Sequence, residues 1–369
     1  MIIAYSGLVS NYSSDLGSPS DACMKSMLDK GSFCYNGMSF FTSRWKNRVL
    51  FYTTNSRLVE MPNEVTLQDA SWMLSLSSMP EAVSITPLQG GWDNTIVLLG
   101  LSDGNQVVLK AWSSNTVDEV KRVISRHLHL HAFSVPTTIP ISLDNGSLFA
   151  EKEGVAWTLL PYVNGGMLGK DSVSLRSLGE VMGKMHVIPS SEFFPEDYRM
   201  GFKLFDKVVQ ISKENGIEDE FVDILERESS ILLNAYPSSL PLGVLHGDLF
   251  PDNVLGRDGA VTAILDLEEA WIGPMAFDLM MAFVGFGWEN GKPNASRWRA
   301  LAEGYQRVRT ISEEELAELQ FMHRYATMAI ACWRFWKHNI SVPDEDLSLR
   351  HLEMVDRLEV EIDFRGYIE

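Results

Sequence analysis

Cysteine is scarce in this 369-residue sequence: the three present, Cys23, Cys34 and Cys332, share no metal-ligand spacing and offer no disulfide framework. A reducing, cytoplasmic setting fits that usage, and the sequon beginning at Asn339 then carries no weight. Positive charge is also in short supply, 31 basic against 49 acidic residues for a net −18. Such a field repels phosphate backbones and anionic membranes, which excludes non-specific nucleic-acid binding as a main role. No apolar run approaches the roughly 20 residues that span a bilayer; the most apolar stretch, 276–288, is broken by Asp278. Residues 1–10 are mildly apolar without a basic flank, a poor signal peptide. No internal repeat is visible.

What is present is ample core material, 45% hydrophobic with 22% charged residues, at a length that suggests two domains or one domain built as two lobes. Charge is unevenly placed. Residues 1–62 hold six basic and four acidic side chains, so the remaining 307 carry a net −20. That first stretch is Ser-rich, has one strand-like run at 48–54, and reads as a separate extension of uncertain order.

From residue 63 the pattern sharpens. Thr66 with Asp69 predicts a helix N-terminus, and Pro80 ends that helix. Strand-type runs at 96–101, 106–112, 138–143, 147–151 and 155–160 are separated by Asp103-Gly104, Asn145-Gly146 and Glu153-Gly154, pairs suited to tight hairpins. A helix-period segment, 117–133, interrupts them. Residues 81–161 therefore predict an antiparallel sheet of about five strands with one packed helix. After Pro161, Asn164-Gly165-Gly166 looks like a flexible joint. Helical patterns follow at 175–187, 219–236, 274–286, 296–309, 312–339 and 346–362, around one non-helical island, 244–267, with a hairpin turning at Asp258-Gly259.

The island carries the chemistry. It contains His246-Gly247-Asp248-Leu249-Phe250-Pro251-Asp252-Asn253, then an apolar strand ending at Asp266. Phosphoryl transfer from ATP needs a carboxylate to orient and deprotonate the acceptor hydroxyl, oxygen ligands for Mg²⁺, and a cation on the non-transferred phosphates. An Asp followed five positions later by an Asn puts both at one loop's mouth: Asp248 toward the hydroxyl, Asn253 toward the metal. Asp266 supplies the charged metal ligand. A lone Asp–Asn pair is ordinary turn chemistry, and a lone Asp at a strand end is an ordinary cap; the combination is far more specific. His246 reads as an orienting residue bonded to loop backbone.

This segment resembles the catalytic loop of the aminoglycoside phosphotransferase/choline kinase superfamily, small-molecule relatives of protein kinases, and is most similar to type II homoserine kinases. Gly90-Gly91-Trp92-Asp93-Asn94-Thr95 resembles the first sheet turn of that group, and Arg334-Phe335-Trp336 a motif of its late helices. The resemblance runs from about residue 65 to the C-terminus. It implies an α+β, two-lobed protein-kinase-like fold: a nucleotide-binding antiparallel-sheet lobe over 63–163 and a larger helical catalytic lobe over 164–369. It implies Asp248 as the base with His246 beside it, Asn253 and Asp266 on Mg²⁺, and Lys110 on the α- and β-phosphates of ATP. Gly90 and Gly91 would approach the phosphates, and the backbone from Leu160 through Tyr162 would hold adenine. Glu119 is the nearest glutamate to pair with Lys110, although Lys121 and Ser125 occupy the better-aligned positions. Asp278 would brace the catalytic loop.

The acceptor is a small-molecule hydroxyl whose identity stays open. A homoserine-like amino alcohol needs a cation for its carboxylate, and Arg334, amid aromatic neighbours, is the candidate. Five of ten tryptophans, Trp271 included, lie in the helical lobe, where aromatic faces suit a choline- or ethanolamine-type substrate or simply pack helices. An aminoglycoside would want a carboxylate-lined cleft. Glu268 could face the metal or be solvated. The competing class, a catalytically silent nucleotide-binding protein, is disfavoured because the base, both metal ligands and the lysine are all present.

Overall fold

The structure, a computed structural model, describes the backbone of strands Ser32–Tyr35 (β1), Met38–Trp45 (β2) and Arg48–Thr53 (β3), and residues 65–88 and 94–368 in full. By its contacts the chain divides into two units, Met1–Met61 and Pro62–Glu369. In the first, β1, β2 and β3 form an antiparallel meander with Tyr35 opposite Met38 and Trp45 opposite Arg48. Only the last of these strands was expected. The adjacent Phe40 and Phe41 break the strict alternation that would have revealed β2.

The second unit opens with α1 (Leu67–Ser75), started by a capping box between Thr66 and Asp69. Its main sheet is antiparallel in the order β4-β5-β6-β8-β7, built from β4 (Ala82–Pro87), β5 (Thr95–Leu101), β6 (Gln106–Trp112), β7 (Ala150–Lys152) and β8 (Val155–Pro161). Helix α2 (Val117–Ala132) packs inward through Val120, Val123, Ile124 and Leu130. Five strands were expected, but the set differs. Residues 138–143 are not a strand: Pro140 has no N–H for a ladder, and its neighbours make isolated bonds, Ile141 N–H to Leu159 O and Leu143 N–H to Ser147 O. Ala82–Pro87 takes the fifth place, beside β5.

The helical lobe begins at the joint, where Gly166–Met167 (β9) pairs with Leu255 and Gly256. Then follow α3 (Ser172–His186), α4 (Phe202–Glu214), α5 (Glu220–Asn234), β10 (Leu242–Leu245), a 3₁₀ turn at Pro251–Asn253, β11 (Val254–Arg257), β12 (Ala260–Ile264) and β13 (Trp271–Pro274). The lobe closes with α6 (Met275–Phe286), β14 (Trp288–Glu289), β15 (Lys292–Pro293), α7 (Ala295–Gln306), α8 (Glu313–Phe335), a π-helical turn at Trp336–Ser341, and α9 (Leu352–Leu358). Helix α4 was not expected; its N-cap is Gly201, which makes no side-chain cap bond, so the usual start signal is missing. The expected helix at 346–362 shortens to α9, which also has no side-chain cap. The apolar run 276–288 is α6 and the entry to β14. Every side chain of α6 except Gly285 is buried, and Asp278 is its one charged residue. Among the described residues no helix is long and apolar enough to cross a membrane.

Candidate active site

Antiparallel strands β10 and β13 anchor the loop that starts at His246. Asp278, in the first turn of α6, has no solvent access and accepts the backbone N–H groups of His246 (2.9 Å) and Gly247 (2.9 Å), with His186 Nε2 at 3.1 Å. Burial works against its ionisation, but the bonds from His186 and His246 outweigh that and hold its carboxyl below the usual range. A carboxylate so compensated fixes the first two residues of the loop. Gly247 sits at φ 81°, and a Cβ there would lie 2.5 Å from Glu269 O, so the turn admits only glycine.

His246 is fully buried. Its Nδ1 accepts the N–H of Asp248 at 3.2 Å, which leaves the ring proton on Nε2 for Leu265 O at 2.8 Å. The imidazole thus ties the backbone of Asp248 to the strand end that carries Asp266, and does not face the cleft. Asn253 follows in the 3₁₀ turn; its amide nitrogen donates to Asp248 O (2.8 Å) and Oδ2 (3.1 Å). Burial, then the carboxylates of Glu269, Asp252 and Asp266, push Asp248 up to about 8, against the bond from Asn253. Asp266 adopts φ 53°, a left-handed conformation uncommon outside glycine that recurs at functional sites. Asp248, Asn253 and Asp266 share one cleft of about 140 Å³ with Asn94, Arg199, Phe250, Glu268, Glu269, Trp333, Arg334 and Arg350.

Lys110, on β6 and 5% exposed, meets the cleft wall through Glu268. Its ammonium lies 3.5 Å from the centre of the Trp112 ring and 3.2 Å from Glu268 Oε1. Glu268 also accepts from Asn94 (2.9 Å) and Asn115 (3.0 Å). Burial and Asp266 push Glu268 above the usual carboxyl range, while Lys110 and Asn115 pull the other way. The expected pairing of Lys110 with Glu119 is corrected. Glu119 closes a capping box at the start of α2, accepting from Thr116 N (2.7 Å) and Oγ1 (2.8 Å). Thr116-x-x-Glu119 is the sequence signature of that role, so the signal was legible.

Trp271 is also corrected as a substrate contact. It lies 5% exposed in β13, stacked on Tyr198 at 5.2 Å, as core behind the loop. Arg334 does line the cleft, donating to Arg350 O (3.1 Å) and Glu353 (2.8 Å). Leu160 pairs with Val108 near the end of β8, and Tyr162 is exposed just beyond it. Gly90 and Gly91 lie outside the described residues. Sequence reasoning missed Arg199, Asp252, Glu269 and Arg350 on the walls, and Arg126 behind them. The guanidinium of Arg126, on α2, donates to Leu267 O (2.7 Å), Glu268 O (3.0 Å) and Phe193 O (2.8 Å).

The model of the phosphotransferase enzyme family matches residues 84–311, more than half of the chain. Homoserine kinase from Rhizobium etli is 24% identical over 281 residues, 74% of this chain and 86% of that protein. Among solved structures, an amicoumacin kinase in complex with AMP-PNP, Ca²⁺ and its antibiotic superposes with a TM-score of 0.65 at 12% identity, covering 82% of this chain and 97% of its own. A microcompartment-associated aminopropanol kinase gives 0.57 at 14% identity, covering 79% and 95%. The two-lobed α+β architecture is that of these kinases. The chain belongs to the phosphotransferase enzyme family, as a small-molecule kinase.

Proposed function

We propose that the chain transfers the γ-phosphate of ATP, with Mg²⁺, to the hydroxyl of a homoserine-like amino alcohol. One observation carries the acceptor reading: the cleft is lined by charge of both signs, the carboxylates Asp248, Asp252, Asp266, Glu268 and Glu269 together with Arg199, Arg334 and Arg350. A small zwitterionic alcohol offers a partner to charge of each sign. The homoserine and aminopropanol kinases among its relatives support the same class.

Hard oxygen donors suit Mg²⁺, and the set here fits: with its amide nitrogen committed to Asp248, Asn253 offers its oxygen beside the Asp266 carboxylate. Bound there, the cation would neutralise charge on the transferring phosphate. Asp248 accepts the hydroxyl proton and aims the oxygen, while Asn253 and His246 fix its side chain and backbone. Lys110, already buried and cationic, takes the α- and β-phosphates in place of Glu268. The β8 backbone from Leu160 to Tyr162 receives adenine, and Arg334 takes the acceptor's carboxylate. A choline-type acceptor keeps one supporting residue, Trp333 on the cleft wall.

The test is an ADP-release assay with Mg·ATP across L-homoserine, 1-amino-2-propanol, ethanolamine, choline and aminoglycosides. Turnover concentrated on the small amino alcohols is expected. Turnover confined to aminoglycosides, or nucleotide binding without turnover on any acceptor, would overturn the reading.

A further inference from the structure

We propose that Glu269 selects the acceptor by binding its ammonium group through N–H donors, so that the acceptor is a primary amino alcohol. This rests on the acceptor reading above and names a residue for it.

Glu269 is 8% exposed and lines the cleft that holds Asp248, Asn253 and Asp266. Arg199 occupies one of its oxygens: Nε donates to Oε1 at 2.8 Å, and a second guanidinium nitrogen reaches the same atom. The other oxygen, Oε2, is buried and has no hydrogen-bond partner among the described residues. A carboxylate oxygen withdrawn from water without a donor is unfavourable, and buried polar atoms of this kind are usually completed by something. The neighbourhood says what kind of donor. Five carboxylates, Asp248, Asp252, Asp266, Glu268 and Glu269, line the same cleft against three arginines, so a cation is favoured there over a neutral donor. Chemistry narrows it further. A primary ammonium brings three N–H donors, whereas a trimethylammonium brings none and leaves Oε2 as it was. Arg334 lines the same cleft and can meet a carboxylate on the same small molecule. No local pattern singles out Glu269, which directly follows Glu268.

The full-length protein is assayed with Mg·ATP on ethanolamine, choline, L-homoserine and its des-amino analogue 4-hydroxybutyrate. Wild type should favour ethanolamine over choline, and L-homoserine over 4-hydroxybutyrate, each by tenfold or more in kcat/KM. Glu269→Gln should raise KM for the amines at least tenfold, compress both ratios toward one and leave KM for ATP within about twofold. Glu269→Asp, which keeps the charge, should recover part of the loss. If wild type uses amino alcohols but Glu269→Gln keeps the wild-type ratios, or choline serves as well as ethanolamine, the anchor is wrong and the acceptor reading stands. If wild type phosphorylates none of the amines, the acceptor reading falls and the anchor with it. Should Glu269→Gln fail to melt cooperatively, the ethanolamine-to-choline ratio of wild type decides alone.

Discussion

Asp248 and Asp266 sit in one cleft, yet their loss should be felt in different quantities. Asp248→Asn keeps the side-chain shape beside Asn253 and removes only the charge that the acceptor hydroxyl needs. We expect kcat to fall by about 10²–10⁴-fold, the usual scale for a general base, with Mg·ATP affinity by titration calorimetry largely kept. Retention of a tenth of wild-type kcat would sink the assignment. Asp266→Ala should lose nucleotide affinity as well as turnover; unchanged Mg²⁺ dependence would count against its place on the metal. These residues were legible because one short loop and its following strand carry them. Arg199, Glu269 and Arg350 were not, since each gains its meaning from partners that only the tertiary fold supplies. Glu268 shows the same difficulty at short range. Its position two after Asp266 was noticed, but Lys110 reaches it from 158 residues away, and no local pattern announces that.

At the scale of elements, two buried histidines set the response to acid. Burial and then Lys110 lower His127 to about 3, and burial and then Arg357 lower His323 to about 3. Both are neutral in the folded chain, while the unfolded chain binds protons below about 6.5. The stability they support is therefore present above that value and drains away as pH falls toward 3. Each contributes a slope of up to about 1.4 kcal/mol per pH unit. His323 packs against Trp288, and its Nε2 has no hydrogen-bond partner among the described residues. His323→Phe should flatten the fall of Tm between pH 7 and pH 5, and an unchanged slope would refute this. A second element-scale test concerns α3 and α7. A Cβ on Gly304 would lie 2.0 Å from Arg176 O, a backbone atom that cannot swing aside. Gly304→Ala should cost about 1–3 kcal/mol, read as a lower Tm; a Tm equal to wild type would show that the pair can separate. Helix α1 was legible because Thr66 announces it, and α2 because an apolar helical period runs over 117–133. Helix α4, beginning at an uncapped glycine, and β4, whose burial follows no simple alternation, were not.

For the whole molecule, the division of the chain into Met1–Met61 and Pro62–Glu369 invites a truncation. Deleting residues 1–61 should leave a folded, active kinase, because the five-stranded sheet and its helix cover are complete within the second unit. A cooperative melt within a few degrees of full length, with kcat preserved, is the expected result. A broad or absent transition would show that the first unit is needed, as exposure of an open strand edge would make it. The basic first unit and the acidic remainder were separable from composition, whereas two of the three strands in that unit were not.

Arg126 has a mechanical consequence. Besides the chain at β9 and the bonds that meet on Glu268, the sheet lobe is tied to the helical lobe by this guanidinium holding three carbonyls and by Thr137, which donates to Ile264 O at 2.8 Å and itself receives His127 at 2.6 Å. Arg126 thereby couples α2 directly to the backbone that carries Glu268, so a shift of that helix is passed to the segment following Asp266.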